Sequence, residues 1–137
     1  MSVIDLVMIV RDEARCLERC LASARPWVDA MVVVDTGSID ATVEIARRFG
    51  ASVAHFAWID DFAAARNTAL AASDAPWRLV LDADEWIADG GESLAALRAE
   101  PAGFIGQVRV ANLFDAASGS VDEAPSWLPR LLPRGVA

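Results

Sequence analysis

The chain has 137 residues, 55% of them hydrophobic, and a net charge of −8; that is enough apolar material for one domain with a real core, and too little chain for two. The acidic balance argues against duplex nucleic acid or an anionic membrane as a partner, because both need basic surface. All 12 basic residues are arginine and there is one histidine, His55, which removes lysine-dependent mechanisms and any histidine-rich zinc site.

Val3 to Val10 is an apolar run broken only by Asp5, with the length and branching of a buried strand. Arg11-Asp12-Glu13 ends it. A helix follows, with Ala14, Leu17, Leu21 and Ala24 on one face and Arg15, Glu18 and Arg19 on the other, closed by Pro26. Cys16 and Cys20 share a face of that helix and read as small buried apolar groups, not as a disulfide, redox pair or metal site. Ala30 to Val34 is a second strand, running into Asp35-Thr36-Gly37-Ser38. The next helix is expected to turn Ile39, Val43, Ala46 and Phe49 toward the core, with Ser38 or Asp40 as its cap and Gly50 just past its end.

Ser52 to Trp58 reads as a third strand, with His55 packing within it. Asp60-Asp61 then stops it and caps a helix over Phe62 to Ala72. Trp77 to Leu81 is the fourth strand, and Trp58 and Trp77 are expected in the core. A short helix over Glu92 to Glu100, a strand over Gly103 to Leu113 and a last strand over Trp127 to Leu132 complete the pattern. Pro129 and Pro133 are expected to hold that last strand at an edge. Alternating strands and helices with near-continuous apolar strands predict a mainly parallel sheet covered on both faces. The N-terminus shows no signal-peptide pattern and no apolar run approaches the ~20 residues of a membrane span, so the expected address is the cytoplasm.

All four parallel strands run into acid: Arg11-Asp12-Glu13, Asp35, Asp60-Asp61 and Asp82-Ala83-Asp84-Glu85. In an open parallel sheet these loops share one edge, where ligands bind. Clustered carboxylates repel unless a cation or hydrogen-bond donors neutralise them. If Leu79-Val80-Leu81 continues as a strand, Asp82 and Asp84 point the same way, a geometry suited to Mg²⁺ or Mn²⁺ bridging substrate phosphates. Asp35 either accepts hydrogen bonds from a nucleoside or only organises its turn through Thr36 and Ser38. Arg66 either reaches a phosphate in the crevice or pairs with Asp60 or Asp61. Trp86, next to the carboxylates, is a candidate wall for a sugar.

The segments Met8-Ile9-Val10-Arg11-Asp12-Glu13, Val33 to Asp40, Asp60-Asp61-Phe62-Ala63-Ala64-Ala65-Arg66-Asn67 and Leu81-Asp82-Ala83-Asp84-Glu85 resemble, in order, the motifs of family 2 glycosyltransferases of the GT-A fold. The resemblance covers residues 3 to about 90. It implies a three-layer α/β/α sandwich with a Rossmann-like sheet and a short antiparallel C-terminal portion. It implies a UDP- or GDP-sugar donor, with Val10 and the loop to Glu13 against the base, Asp35 bonded to it and Arg66 near the nucleotide. Asp82 would hold the ribose or the metal's shell and Asp84 would ligate Mg²⁺ or Mn²⁺. It also implies inverting transfer, in which a carboxylate deprotonates the acceptor hydroxyl.

The family's base lies downstream of these motifs, and Asp89, Glu92, Glu100, Asp115, Asp122 and Glu123 stand in no recognisable context for it. The catalytic residue is therefore unassigned. The expectation is one domain over 1–137, with a nucleotide-binding core over 1–90 and a partial acceptor-side segment over 91–137: a donor-binding half. Its uncovered sheet edge and apolar surface between Phe104 and Leu132 predict a homodimer. The alternatives are a non-catalytic GT-A-like module and, more remotely, a haloacid-dehalogenase-type phosphatase with Asp82 as nucleophile. The latter would need its acidic motif on the first strand and a lysine.

Overall fold

Alternate residues of the central strands feed two separate layers of helix. In the computed structural model, which describes residues 3–97, 106–110 and 126–134, the first strand, β1, spans Ile4–Val10. Its Ile4, Leu6, Met8 and Val10 face one layer, while Val7 and Ile9 face the other. The first layer is α1 (Leu17–Ala24) and α2 (Thr42–Arg48); the second is α3 (Phe62–Ala71). β2 (Ala30–Asp35) and β4 (Trp77–Val80) divide the same way: Met31, Val33, Trp77 and Leu79 face α1 and α2, and Val34 and Val80 face α3. The period-2 alternation of each strand thus builds the three layers.

The sheet has six strands in the order β3-β2-β1-β4-β6-β5, with β3 (Ser52–His55) at one edge and β5 (Gly106–Val110) at the other. β1 is parallel to β2 and β4, and β2 is parallel to β3. β6 (Ser126–Pro133) runs antiparallel to both β4 and β5. A short helix, α4 (Gly91–Ala96), lies between β4 and β5 in the chain. Gly91 has no room for a side chain, because a Cβ there would stand 2.1 Å from Cε2 of Trp27.

Several expectations are corrected. Ile39 does not enter the core: it is 94% exposed and lies outside α2. The inward residues of α2 are Thr42, Ile45 and Ala46, and Phe49 packs against them partly buried. Neither Ser38 nor Asp40 is the N-cap, which is Ala41: Ser38 bonds to the neighbouring loop, and Asp40 accepts from the N–H of Thr42, the first helical residue, while its other oxygen bonds that loop. Gly50 does follow the helix in the left-handed region, at φ 83°. The third strand stops at His55, which is exposed, and Trp58 lies beyond it, 38% exposed. Trp77 is fully buried as expected.

The last strand is not at an edge. β6 lies between β4 and β5, and its prolines are accommodated without breaking the ladder. Pro129 falls where the register with β5 shifts, next to the Gly106/Gln107 irregularity, and Pro133 is the terminal residue of β6; bulges and strand ends tolerate the missing N–H. The outer parts of the expected 92–100 helix and 103–113 strand, and Phe104, lie outside the described residues.

Cys16 and Cys20 are buried free thiols. Burial, then Glu13, raises Cys16 above the ordinary thiol value, and burial, reinforced by Glu85, pushes Cys20 up to about 12. The nucleophile is the thiolate, so both should resist iodoacetamide at pH 8 in the native chain and react promptly in urea. Rapid modification of Cys20 without denaturant would show that α1 does not pack as described.

Candidate active site

At the carboxyl ends of β1 and β2, two loops clasp each other through short polar side chains. The backbone N–H of Asp12 donates to Ser38 Oγ (2.9 Å), and Asp12 Oδ1 accepts from the N–H of Ile39 (2.8 Å). The N–H of Glu13 donates to Thr42 Oγ1 (2.8 Å) and that of Ala14 to Asp40 Oδ2 (3.2 Å). Asp40 in turn accepts from the N–H and hydroxyl of Thr42, and the Thr42 hydroxyl in particular lowers its pKa. These bonds satisfy loop N–H groups that no strand or helix can pair.

Asp35 is buried, 3% exposed. Its Oδ2 accepts from the N–H groups of Gly37 (3.2 Å) and Ser38 (3.1 Å), and its Oδ1 from the Ser38 hydroxyl. Nδ1 of His55 stands 3.7 Å from Oδ2. Asp35 therefore does organise its turn, through Gly37 and Ser38. Thr36 instead donates its N–H (3.0 Å) and its hydroxyl (3.2 Å) to the carbonyl of Val10.

Between these loops and the end of β4 lies a cleft of about 540 Å³, lined by Ile9, Val10, Arg11, Glu13, Thr36, Trp58, Phe62, Asp82, Ala83 and Asp84. That volume suits a small-molecule ligand. Of the residues singled out in the sequence, Val10, Glu13, Asp82 and Asp84 meet in this cleft. Asp35 and Arg66 are not in its wall.

Asp82 and Asp84 do not lie on a strand. β4 ends at Val80 and the two carboxylates occupy the turn that follows, so strand alternation does not account for their convergence. The turn closes on itself: the N–H of Asp82 donates to Glu85 Oε1 (2.7 Å), and the N–H of Glu85 to the carbonyl of Asp82 (2.9 Å). Arg130 of β6 braces it, donating from Nη2 to Glu85 Oε2 (3.0 Å) and standing 3.5 Å from Asp82 Oδ2. Glu85 and Arg130 side chains are only 18% and 13% exposed, while that of Asp82 is 52% exposed. Asp84 is exposed and accepts no hydrogen bond among the described residues.

No group of three or more acidic, histidine or cysteine side chains among the described residues is placed to hold a metal ion. Asp82 and Asp84 fit a hard cation of another kind, one that takes one or two carboxylates and fills its shell with substrate phosphates and water.

Arg66, on α3, is half-buried, with its guanidinium carbon 5.2 Å from the Phe62 ring centre. It pairs with neither Asp60 nor Asp61: Asp61 caps α3 by accepting from the N–H of Ala64 (3.0 Å), and Asp60 accepts from the Trp58 indole N–H (2.9 Å). Burial draws Arg66 below the ordinary arginine value, opposed by Asp82 and reinforced by Arg130; it is still a cation at neutral pH. Trp86 does not line the cleft. Its ring is covered by the guanidinium of Arg19, 3.8 Å from the ring centre.

Sequence reasoning missed Thr36, Trp58, Phe62 and Arg130. The signal for Trp58 was its spacing from Asp60, which lets the indole N–H find a local carboxylate. The signal for Arg130 was a lone cation in the apolar run Trp127 to Leu132.

The model of "Glycosyl transferase family 2" matches residues 5–133. The chain belongs to glycosyl transferase family 2. Among curated relatives, it is 56% identical over 85 residues to a TPR repeat-containing protein of Synechococcus elongatus, covering 62% of this chain and 21% of that one. It is 34% identical over 85 residues to an uncharacterized glycosyltransferase of Rickettsia felis, covering 62% and 30%. The matches thus span less than a third of those relatives.

Among solved structures, S. aureus TarS matches with TM-score 0.62 at 20% identity, over 71% of this chain and 31% of that one. Glucosyl-3-phosphoglycerate synthase of Mycobacterium tuberculosis, in complex with Mn²⁺, UDP and glucosyl-3-phosphoglycerate, matches with TM-score 0.54 at 25% identity, over 60% and 33%. The fold is that of these GT-A glycosyltransferases.

Arg130→Met removes the brace while keeping most of the side chain's bulk. Hydrogen bonds to charged groups contribute about 1.5–3 kcal/mol, so a urea titration should show a loss of that order. An unchanged midpoint would mean the brace contributes nothing to stability.

Proposed function

We propose that this chain is the donor-binding part of an inverting glycosyltransferase that takes a UDP- or GDP-sugar with Mg²⁺ or Mn²⁺. One observation carries the reading: Asp84, in a family 2 chain, lines a ligand-sized cleft with Asp82 and has no hydrogen-bonding donor of its own among the described residues. Two neighbouring carboxylates repel each other, and a cation held between them relieves that repulsion. The Mycobacterium tuberculosis synthase, which binds Mn²⁺ and UDP, lends the reading support by likeness.

On this reading Asp84 and Asp82 hold the cation, which when bound withdraws charge from the departing diphosphate. Arg130 and Glu85 fix the turn, so that Asp82 is presented in one orientation. Val10 and the loop to Glu13 form the base-side wall. Asp35, with both oxygens engaged by its turn, shapes that wall from beneath, and any bond to the base uses a remaining lone pair. Arg66 lends positive potential from behind the acidic turn. Residues 1–90 carry donor binding, with 91–137 contributing to the acceptor side.

Attack by an acceptor hydroxyl requires a base. The carboxylates of the cleft, Glu13, Asp82 and Asp84, are assigned to donor and cation. Asp89 and Glu92 do not line it, and Glu100, Asp115, Asp122 and Glu123 lie outside the described residues. Donor binding is therefore the testable core. Calorimetry with UDP and GDP should give binding that depends on Mn²⁺ and weakens at least about tenfold in Asp84→Ala. Equal affinity with and without metal, or an unaffected variant, would sink the proposal.

Among the described residues β5 is an edge strand, an arrangement that can pair with a second copy, and we expect a homodimer over it. Sedimentation of a single 14.6 kDa species at micromolar concentration would count against that.

A further inference from the structure

We infer that Trp58 is the stacking face for the donor's nucleobase, so that the cleft reads the presence of a planar base at the end opposite its carboxylates. The inference rests on the donor-site reading above and adds a residue to it. Trp58 is an oddity in physical terms: a tryptophan 38% exposed, beyond the end of its strand, in a chain with ample core. Two features hold it there. Its indole N–H donates to Asp60 Oδ1 at 2.9 Å, and Asp60 itself stands in the left-handed region at φ 57°, a conformation that aspartate adopts more readily than most residues. The polar edge of the ring is thus tied down while the residue still lines the cleft.

Sheet order sets where this face lies. Trp58 follows β3 and the carboxylates follow β4, with β2 and β1 between. Three strand spacings separate the ends of β3 and β4 by roughly 14 Å, with Trp58 in the loop beyond the first and the carboxylates in the turn beyond the second. A site that is aromatic at one end, carboxylate at the other and elongated between them matches a planar base and a diphosphate held apart by a ribose. An acceptor sugar would match only one end. Base stacking on an aromatic ring tolerates any base, so the ring distinguishes a nucleotide from bare diphosphate and leaves the choice among bases to other groups.

The experiment is calorimetry on the full chain with three probes in the presence of Mg²⁺: UDP, GDP and inorganic pyrophosphate. Trp58→Ala should weaken UDP and GDP in parallel, by about 5- to 100-fold on the usual scale of base–aromatic stacking, and leave pyrophosphate within about twofold of the parent. Trp58→Phe should keep most of the UDP affinity. Unchanged UDP affinity in Trp58→Ala overturns this assignment alone. Equal losses for UDP and pyrophosphate also overturn it, since a damaged fold would touch both. A parent chain that binds neither UDP nor pyrophosphate overturns the donor-site reading, and this inference with it.

Discussion

Acid gathered at one rim of a parallel sheet must find hydrogen-bond donors or counter-charge, and the arrangement of this rim follows from that requirement. Asp12, Asp35 and Asp40 are spent on N–H groups of their own and adjoining loops. Asp61 caps a helix, Asp60 holds an indole, and Glu85 is divided between a backbone N–H and Arg130. Each bond lowers the cost of crowding carboxylates and fixes a loop at the same time. Among the described residues, Asp84 stands out because it accepts no such bond, and Asp82 because its side chain has only a long contact, at 3.5 Å. The functional reading follows from this uneven distribution of partners.

How much of this was legible in the sequence depended on periodicity. The four parallel strands, their helices and the three-layer arrangement follow from apolar spacing, and the inward face of α1 is as expected at Leu17, Leu21 and Ala24. The errors lie where a polar side chain had two available partners. Ile39 was expected inward on a helix capped at Ser38 or Asp40, but Ser38 and Asp40 bond to the neighbouring loop, and α2 starts only at Thr42. Trp58 read as core because composition records hydrophobicity and not the anchoring of its N–H by Asp60. Asp82 and Asp84 reach the cleft as expected, but by a turn and not by strand alternation. Such choices between local partners are settled by tertiary contacts, which no window of sequence contains.

The placement of β6 shows the same limit at longer range. Two prolines argued for an edge strand, yet a register shift and a strand terminus absorb them inside the sheet. The reward is Arg130, carried from nearly 50 residues downstream onto the turn that bears Asp82 and Glu85. The four sequence motifs all fall within residues 3–90, but the turn that bears the last of them is braced from a strand outside that span.

Gly91 and Trp27 give a last consequence. An indole ring fills the space where a side chain at position 91 would stand, so the two positions are constrained as a pair. A larger residue at 91 is admissible only in a lineage that has first given up the ring at 27, and that ancestor would carry a void between α4 and the segment after α1. Related chains that carry a side chain at position 91 should therefore lack the indole at 27, whereas loss of the indole alone leaves glycine at 91 admissible.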